Sequence, residues 1–362
     1  MKRVVCFHLL NDYSGSPIVL RMALRGLLRR NCRVDLVTTQ GGVLDDLQTY
    51  DNLTTHTYRY RFSTNPAVTM ARYFWVQLYT FVLAFKWLMA KDTVFYINTL
   101  LPAGPALAGR MMGKRVVYHY HENAKAKGAF YRVLAWLMQR LAHKIICVSA
   151  YQASKLKPSK KITVIPNALP QEFAERVTSD CERAFKQQNI LMLSSLKSYK
   201  GTDEFIQLAN ELPEYHFTLV INDEESNIKE YIEQKGLSIS DNLCIHPRQE
   251  DVVSFYKQAS IVLNLSQKNL FIETFGMTAL EAMTAGLPVI GPTEGGIAEI
   301  VKDGVNGYQI DCHEKDKIAQ RIREMLSDKN LYSLLAKGAL ETAKNYSEDR
   351  LTEAVANILI ND

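Results

Sequence analysis

The amino-acid sequence predicts an α/β protein made of two doubly wound domains, each a parallel sheet covered by helices. The 362 residues exceed the usual length of a single domain. Hydrophobic residues make up 47% and charged residues 22%, as in ordinary globular proteins. Short β-rich runs alternate with helical stretches in both halves of the chain, which is the pattern of parallel strands joined by crossover helices.

In the first half, the predicted strands are short apolar runs, and longer helical stretches separate them. Strands are predicted at residues 4–10, 34–39, 93–98, 116–120 and 145–149, and helices at 18–29, 68–90, 103–112 and 129–141. The stretch 71–89 is mostly apolar, but Arg72, Gln77 and Lys86 interrupt it. We therefore expect a buried helix, or one lying at an interface, rather than a membrane span.

The second half repeats the alternation. Strands are predicted at 190–194, 217–221, 243–246, 261–265 and 289–290, and helices at 203–211, 228–235, 252–259 and 274–285. Between the halves, Pro166 and Pro170 punctuate a segment that each proline biases away from helix. We place an N-terminal domain at 1–168 and a C-terminal domain at 169–346, and a final helix at about 347–362 could pack back on the first domain.

Charge is distributed unevenly between the halves. Residues 1–170 carry 24 lysines and arginines against seven carboxylates, a net charge of +17, and the remainder carries −12. A half this basic is expected to face anionic lipid, phosphate or nucleic acid. Nucleic acid is the weakest of these partners, because the chain has no recognition module and no aromatic-basic repeat.

The cysteines and the N-terminus indicate a cytoplasmic protein. Six cysteines lie far apart without a C-x-x-C pair, which predicts neither a zinc site nor a disulfide framework. The apolar run 4–10 is short, and Asn11 and Asp12 end it without a small-residue cleavage site, so we expect no secretory signal.

One segment, residues 264–307, carries the strongest chemical signal. A predicted strand ends in a polar loop, and a helix predicted to begin near Thr274 would present the free N–H groups of Phe275, Gly276 and Met277 to a phosphate. Glu273 and Glu281 lie eight residues apart, and eight helical residues span about 12 Å. A diphosphate could therefore lie between two carboxylates that bind the sugar and the ribose of a nucleotide sugar.

These residues resemble the retaining GT-B glycosyltransferases of family 4, whose motif is E-x-F-G with a second Glu at E-x7-E spacing. Glu273 to Gly276 and Glu281 match that motif, and Gly295-Gly296 and Asn306-Gly307 also match the family's wording. The resemblance implies two Rossmann-like domains facing across a cleft, with Glu273 on donor sugar hydroxyls and Glu281 on ribose hydroxyls. It also implies an acceptor in bacterial surface-polysaccharide or lipopolysaccharide synthesis.

The loop after the predicted strand 190–194 contains two candidate phosphate ligands. Lys197 and Lys200 would lie at the carboxyl edge of the sheet, where a diphosphate crosses. Many relatives have Arg where this chain has Ser195, and Lys197 is our candidate replacement. We expect Lys200 to stabilise the leaving diphosphate.

The resemblance adds residues from the first half. His121, followed by Glu122 at a strand end, matches a family position that contacts the donor sugar, whereas His119 is interpreted as structural. The loop at residues 13–17 matches the family's Gly-rich loop with Gly15 and Ser16. The predicted catalytic residues are thus His121, Glu273 and Lys200, and the predicted donor-binding residues are Gly15, Ser16, Lys197, Lys200, Glu273, Thr274, Phe275, Gly276, Met277 and Glu281.

Missing motifs narrow the choice of activity. No D-x-D motif follows a strand, so we expect no metal, and we expect no cofactor besides the nucleotide-sugar substrate. The lack of a G-x-G-x-x-G after the first strand, of a Walker loop and of G-x-S-x-G disfavours a dehydrogenase, an NTPase and a hydrolase. A GT-B sugar-nucleotide epimerase and a non-catalytic nucleotide-sugar-binding subunit remain as alternatives.

The expected activity is therefore metal-independent, retaining transfer of a hexose-type sugar, from a UDP-sugar by preference, to a lipid-linked glycan. Basic residues alternate with aromatic ones at 58–62 and 72–75, and such segments suit an anionic membrane surface. We therefore expect a peripheral protein on the inner face of the cytoplasmic membrane.

Overall fold

The computed structural model describes residues 2–361. The chain forms two compact units, Met1–Ala168 with Glu348–Asp362, and Leu169–Ser347. Each unit contains one sheet, with seven strands in the first and six in the second, and every strand pair is parallel. The prediction of an α/β protein with two Rossmann-like sheets is confirmed.

The first sheet has the strand order β3-β2-β1-β4-β5-β6-β7. Its strands are β1 Arg3–Phe7, β2 Arg33–Thr38, β3 Leu53–Thr57, β4 Thr93–Asn98, β5 Arg115–Tyr120, β6 Lys144–Cys147 and β7 Ile162–Val164. Strand β3 did not stand out in the sequence because its residues, LTTHT, are mostly polar, which fits a strand at the edge of the sheet.

Helices cover both faces of this sheet, and the side chains of β1 alternate between two buried clusters. Val4 and Cys6 belong to one cluster, and Val5 and Phe7 belong to the other. The helices are α1 Gly15–Arg29, α2 Pro66–Ala84, α3 Ala103–Met111, α4 Ala129–Leu141 and α5 Ala150–Ser154, with 3₁₀ turns at Val43–Thr49 and Phe85–Trp87. Among the described residues, no helix has the length and apolar character needed to cross a membrane.

The second sheet has the strand order β10-β9-β8-β11-β12-β13. Its strands are β8 Asn189–Ser194, β9 His216–Ile221, β10 Leu243–His246, β11 Ile261–Leu263, β12 Val289–Gly291 and β13 Gly307–Gln309. The strand order reverses between β8 and β11, and ligands of such sheets bind at the carboxyl ends of the strands beside this switch point.

Nine helices among the described residues accompany this second sheet. They are α6 Gln171–Val177, α7 Cys181–Gln187, α8 Thr202–Glu211, α9 Glu225–Lys235, α10 Val253–Lys257, α11 Met277–Thr284, α12 Ile297–Ile300, α13 Lys315–Ser327 and α14 Lys329–Ala343. Two 3₁₀ turns lie at Ser198–Lys200 and Lys344–Tyr346. The helix predicted from Thr274 in fact begins at Met277, three residues later.

The last helix, α15 Glu348–Ala356, returns to the first unit and packs against α1. Leu351 and Val355 are buried in the same cluster as the inner side of α1. Arg25 of α1 forms a bidentate pair with Glu348, with its Nε 3.0 Å from Oε1 and its Nη2 2.7 Å from Oε2. Both side chains are nearly buried, so the pair fixes the position at which the helix docks.

Replacing Arg25 by Met is expected to lower the free energy of unfolding of the first unit by about 3–5 kcal/mol, because Glu348 stays buried without its guanidinium partner. The double variant Arg25→Met/Glu348→Met should recover much of that loss. All three tryptophans, Trp75, Trp87 and Trp136, lie in this unit, so tryptophan emission in urea reports on it.

The matched control is Arg29→Met, which changes an exposed arginine of the same helix and should change stability by less than about 1 kcal/mol. Equal effects of Arg25→Met and Arg29→Met would contradict the role given to the buried pair.

Candidate functional site

The loops that follow β8 and β11 in the second unit bring two predicted catalytic residues into contact. Lys200 ends the 3₁₀ turn after β8, and its Nζ forms an ion pair with Oε1 of Glu273, in the loop after β11. The Oγ of Ser266 donates a hydrogen bond of 3.0 Å to the same carboxylate oxygen. Both charged side chains are about one-fifth exposed, so a ligand can reach them.

Aromatic rings position Lys200 further. Its Nζ lies 4.4 Å from the centre of the Phe271 ring, and that ring stacks on Tyr199 with 4.8 Å between the centres. Sequence reasoning missed Ser266 and Phe271. Their position in the loop after the strand predicted at 261–265 was the signal that could have identified them. The site therefore holds a preoriented cation next to a carboxylate.

Two glycines define the backbone around Glu273. The N–H of Gly296 donates to the carbonyl of Glu273 at 2.8 Å, and a Cβ at Gly296 would lie 2.0 Å from the carbonyl oxygen of Thr274. Gly276 caps α11 with φ of +103°, and a Cβ there would lie 2.8 Å from the Cβ of Ile297. A residue with a Cβ fits neither position unless the backbone at Thr274 or the side chain of Ile297 moves. The two glycines therefore restrict the backbone conformation of the E-x-F-G segment.

The late start of α11 corrects the predicted phosphate-binding amides. The first N–H bonded within the helix is that of Leu280, which donates to the carbonyl of Gly276. The amides free at the start of the helix are thus those of Gly276, Met277, Thr278 and Ala279, which keeps Gly276 and Met277 from the predicted set and adds two residues. Phe275 is buried and its ring packs edge-on against Tyr346, so its side chain serves packing, and the role of its backbone amide stays a prediction.

Glu281 lies within α11, and its carboxylate accepts a hydrogen bond from the hydroxyl of buried Tyr256. Burial raises the pKa of Glu281 to about 7, and the bond from Tyr256 opposes part of that rise. The assumed span of eight helical residues from Glu273 is wrong, because only residues from Met277 onward are helical. Tyr256 was not found from the sequence, since it comes from α10.

Lys197 is exposed and lies near a different carboxylate. The pKa of Asp223 is lowered, mainly because Asn227 donates to it, and Lys197 adds a smaller electrostatic contribution. The structure thus brings Lys200, but not Lys197, into contact with Glu273. The proposal that Lys197 substitutes for the Arg usual at Ser195 stays a prediction.

In the first unit, His121 follows β5 in a hydrogen-bonded chain. Its Nε2 lies 3.0 Å from Oδ1 of Asn98, and the Asn98 amide nitrogen lies 3.1 Å from Nδ1 of His8. The His121 ring packs 4.3 Å from His119, which is fully buried and bonded to the hydroxyl of Tyr96. These contacts come from the ends of three neighbouring strands, β1, β4 and β5.

The neutral form is favoured in all three of these histidines, because the pKa of each is lowered. Burial lowers the pKa of His8 to about 4 and that of His119 to about 3, and burial next to His119 lowers the pKa of His121 as well. The adjacent Glu122 is buried, which raises its pKa, and it accepts a hydrogen bond from the amide of Leu100 at 3.0 Å. A neutral His121 whose Nε2 donates to Asn98 keeps Nδ1 as a hydrogen-bond acceptor.

Gly15 and Ser16 were predicted in a loop, but they form the first turn of α1. Gly15 is exposed, and a Cβ at that position would meet nothing within 4 Å. The carbonyl oxygen of Ser16 lies 3.5 Å from the Asn98 amide nitrogen, which connects this turn to the histidines.

One group of side chains in the described part of the chain has ligand types that metals use. Atoms of Glu204, Cys312 and His313 lie within 4.8 Å of one another. Burial raises the pKa of the Cys312 thiol to about 12, which disfavours the thiolate that a metal requires. The expectation of no metal stays a prediction.

Comparison with known proteins places both halves of the chain. Residues 13–173 match the model of Glycosyltransferase Family 4, and residues 181–342 match that of Glycosyl transferases group 1. A D-inositol 3-phosphate glycosyltransferase of Salinispora arenicola is 32% identical over 125 residues, which cover 34% of this chain and 27% of that protein. The N-acetyl-alpha-D-glucosaminyl L-malate synthase of Bacillus anthracis is 24% identical over 52% of this chain and 50% of its own length.

A solved structure extends the likeness over the whole chain. Alr3699/HepE of Anabaena, crystallised with UDP-glucose, superposes with a TM-score of 0.78 at 18% identity, covering all of both chains. Identity this low shows the fold alone. Since the two family models cover most of the chain and the superposition covers all of it, this chain has the GT-B fold of the group 1 and family 4 glycosyltransferases.

Proposed function

We propose that this protein is a retaining glycosyltransferase that moves a hexose-type sugar from a nucleotide sugar, by preference a UDP-sugar, to an acceptor hydroxyl. The observation that carries the proposal is the Lys200–Glu273 pair at the switch point of the second sheet, on the same motif as Glu281. A glycosyltransferase fold and a relative crystallised with UDP-glucose support the same activity.

Each group has a role that follows from its chemistry. The ammonium of Lys200 and the amides of Met277 and Thr278 would meet the charge of the diphosphate. When a phosphate replaces Glu273 as the ion-pair partner of Lys200, the carboxylate of Glu273 becomes available to accept hydrogen bonds from sugar hydroxyls. Glu281, held by Tyr256, would accept from the two ribose hydroxyls.

The reaction needs one bond exchange at the anomeric carbon. The acceptor oxygen forms a bond to that carbon, the bond to the diphosphate oxygen breaks, and the diphosphate leaves with the electron pair. The acceptor proton passes to a diphosphate oxygen when attack occurs on the leaving-group face, which gives retention. Lys200 stabilises the charge that develops on the leaving oxygen, and that is where the transition state differs most from the donor.

His121 would bind a donor sugar hydroxyl as a neutral hydrogen-bond partner. Its lowered pKa keeps it uncharged, so it adds no positive charge close to a carbon that becomes electron-poor in the transition state. Asn98 restrains its ring through Nε2, and this favours a single tautomer.

The direct test is a panel of UDP-, GDP- and dTDP-sugars assayed for slow hydrolysis without an acceptor. We expect one donor to release free sugar with the anomeric configuration retained, and Lys200→Ala to abolish that release. Conversion of the donor into its epimer without release would favour the epimerase. Tight donor binding without turnover in the complete panel, and with candidate acceptors, would favour the binding subunit.

At pH 8, above the raised pKa of Glu281, Glu281→Gln is expected to weaken binding of the matching nucleoside diphosphate by about 1.5–3 kcal/mol, because a charged acceptor becomes a neutral amide. Titration calorimetry measures this effect, and Glu230→Gln on exposed α9 is the matched control. Unchanged affinity in Glu281→Gln would contradict the ribose assignment.

The same substitution should have the opposite effect on stability. The pKa of Glu281 in the folded protein is raised from 4.5 to about 7, so the folded state holds this proton more firmly than the unfolded chain does. The resulting destabilisation is absent below pH 4.5, grows between pH 4.5 and 7, and is complete above pH 7.

Since Gln does not ionise, Glu281→Gln should raise the free energy of unfolding at pH 8 by about 1–3 kcal/mol and leave it nearly unchanged at pH 4. Circular dichroism in urea measures both values. A stability difference independent of pH would contradict the raised pKa.

Activity is expected to survive a chelator, because Lys200 and the amides of α11 meet the charge of the leaving group without a divalent ion. Hydrolysis of the matching donor should proceed equally with and without EDTA. Loss of activity in EDTA that Mg2+ or Mn2+ restores would contradict this assignment of the phosphate site.

For the acceptor, we propose a lipid-linked glycan of surface-polysaccharide synthesis, reached from the inner face of the cytoplasmic membrane. The support is the basic first half of the chain, which fits a substrate embedded in anionic lipid. The test is transfer of labelled sugar to detergent-solubilised lipid-linked glycans, compared with the same glycans freed from lipid. Equal transfer to the freed glycans would favour a soluble acceptor.

A further inference from the structure

Helices α2, α3 and α4 form one layer against the first sheet, since α2 contacts α3 and α3 contacts α4. Inner side chains of all three helices join a buried cluster with β4 and β5, which includes Phe95, Val116 and Met138, and Tyr73 and Val76 of α2 join a smaller one. No other part of residues 2–361 buries the outer side of the layer, and its side chains are unusual for a surface.

The outer side of this layer exposes large apolar side chains at helical spacing. On α2 and the turn after it, Trp75, Leu78, Val82, Phe85 and Met89 follow one another every three or four residues, with Trp75 69% and Met89 87% exposed. The neighbouring helices add Leu107, Met111, Val133 and Trp136. A soluble surface rarely carries so many large apolar side chains together, and such a patch indicates a binding surface. These nine residues are called the outer face below.

The charge around the outer face is mostly positive, and the exposed Asp92 is the exception. The sequence contains no Asp or Glu between Asp51 and Asp92, and none between Asp92 and Glu122, which is buried. Basic residues accompany this stretch and the helices next to it, at Arg59, Arg61, Arg72, Lys86, Lys91, Arg110, Arg132 and Arg140. An apolar face bordered by cations matches a bilayer whose headgroups are anionic.

A second copy of the chain fits this face less well. In a two-fold dimer the same patch meets itself, so the cations of one copy would face the cations of the other. A bilayer meets both requirements at once, because acyl chains cover the apolar side chains and anionic headgroups meet the cations. The Arg140 guanidinium already lies 5.4 Å from the centre of the Trp136 ring, an arrangement suited to the headgroup boundary.

We propose that the outer face inserts shallowly into an anionic lipid leaflet, with the indole of Trp75 and its neighbours among the acyl chains and the basic residues at the phosphates. This proposal deepens the proposed function and rests on it, because a lipid-linked acceptor is the reason for the protein to bind a lipid surface. It adds the surface that docks and a mode of binding that is apolar as well as electrostatic. The apolar contribution to vesicle binding then remains at high salt, because salt screens only the electrostatic contribution.

The three tryptophans allow a direct test of insertion. Trp75 and Trp136 are 69% and 52% exposed on the outer face, whereas Trp87 is 2% exposed in the core. Vesicles of phosphatidylcholine and phosphatidylglycerol with brominated acyl chains should quench the emission of the first two and spare the third. The variant Trp75→Phe/Trp136→Phe, which keeps only Trp87, should still float with the vesicles but lose the quenching.

Flotation tests the side chains separately. Trp75→Ser/Val82→Ser should lower the partition onto these vesicles about tenfold or more, at low and at high salt. Arg59→Glu/Arg61→Glu should lower it at low salt only. Leu334→Ser, which changes an exposed leucine of α14 in the second unit, should float like the unaltered protein. All these side chains are exposed, and circular dichroism checks that each variant is folded.

Three results would overturn the proposal: no quenching of Trp75 and Trp136 by bound vesicles, flotation of Trp75→Ser/Val82→Ser equal to that of Leu334→Ser, or a lipid-free dimer that Trp75→Ser/Val82→Ser dissociates. The last would assign the face to a second copy. Neither lipid-binding assay contains donor or acceptor, so a failed glycosyltransferase assay does not affect their outcome. A failure to bind vesicles likewise does not affect the outcome of the donor assay.

Discussion

The parallel direction of all strands is the constraint on which the rest of this structure depends. In the second sheet β8, β11 and β12 are neighbours, so the loops after them meet at one edge although they lie far apart in the sequence. Lys200, Glu273 and Gly296 each come from a different one of these loops. The ion pair and the restricted backbone of the E-x-F-G segment both follow from that meeting.

Burial tunes both candidate sites in a way that opposes stability. Glu281 would be fully ionised at pH 7 in water, but burial moves its pKa close to neutrality, although the hydrogen bond from Tyr256 opposes part of that rise. His121 is kept neutral by the same desolvation. A ligand that donates hydrogen bonds to the Glu281 carboxylate would stabilise the charge that the protein alone stabilises poorly, so part of the cost of burial is recovered on binding.

The helices of the first unit serve two environments at once. The inner side of α2 places Tyr73 and Val76 in a buried cluster, while its outer side exposes Trp75 and Val82. This explains why the stretch reads as almost wholly apolar in sequence without being a membrane span. The final helix α15 packs on the opposite side of the same sheet, where Arg25 and Glu348 fix it, so it leaves the outer face uncovered.

The sequence by itself determined the fold class, because the alternation of strands and helices is a local pattern. It also singled out Glu273 and Glu281 as candidate donor-binding residues, through the resemblance of residues 273–281 to the E-x-F-G and E-x7-E motif. Only the tertiary structure decided that α11 begins at Met277, that Tyr256 holds Glu281, that Lys200 and not Lys197 meets Glu273, and that polar β3 forms an edge strand. The physical reason is that periodicity records which face of an element is buried, whereas these contacts depend on which crossovers bring distant loops together.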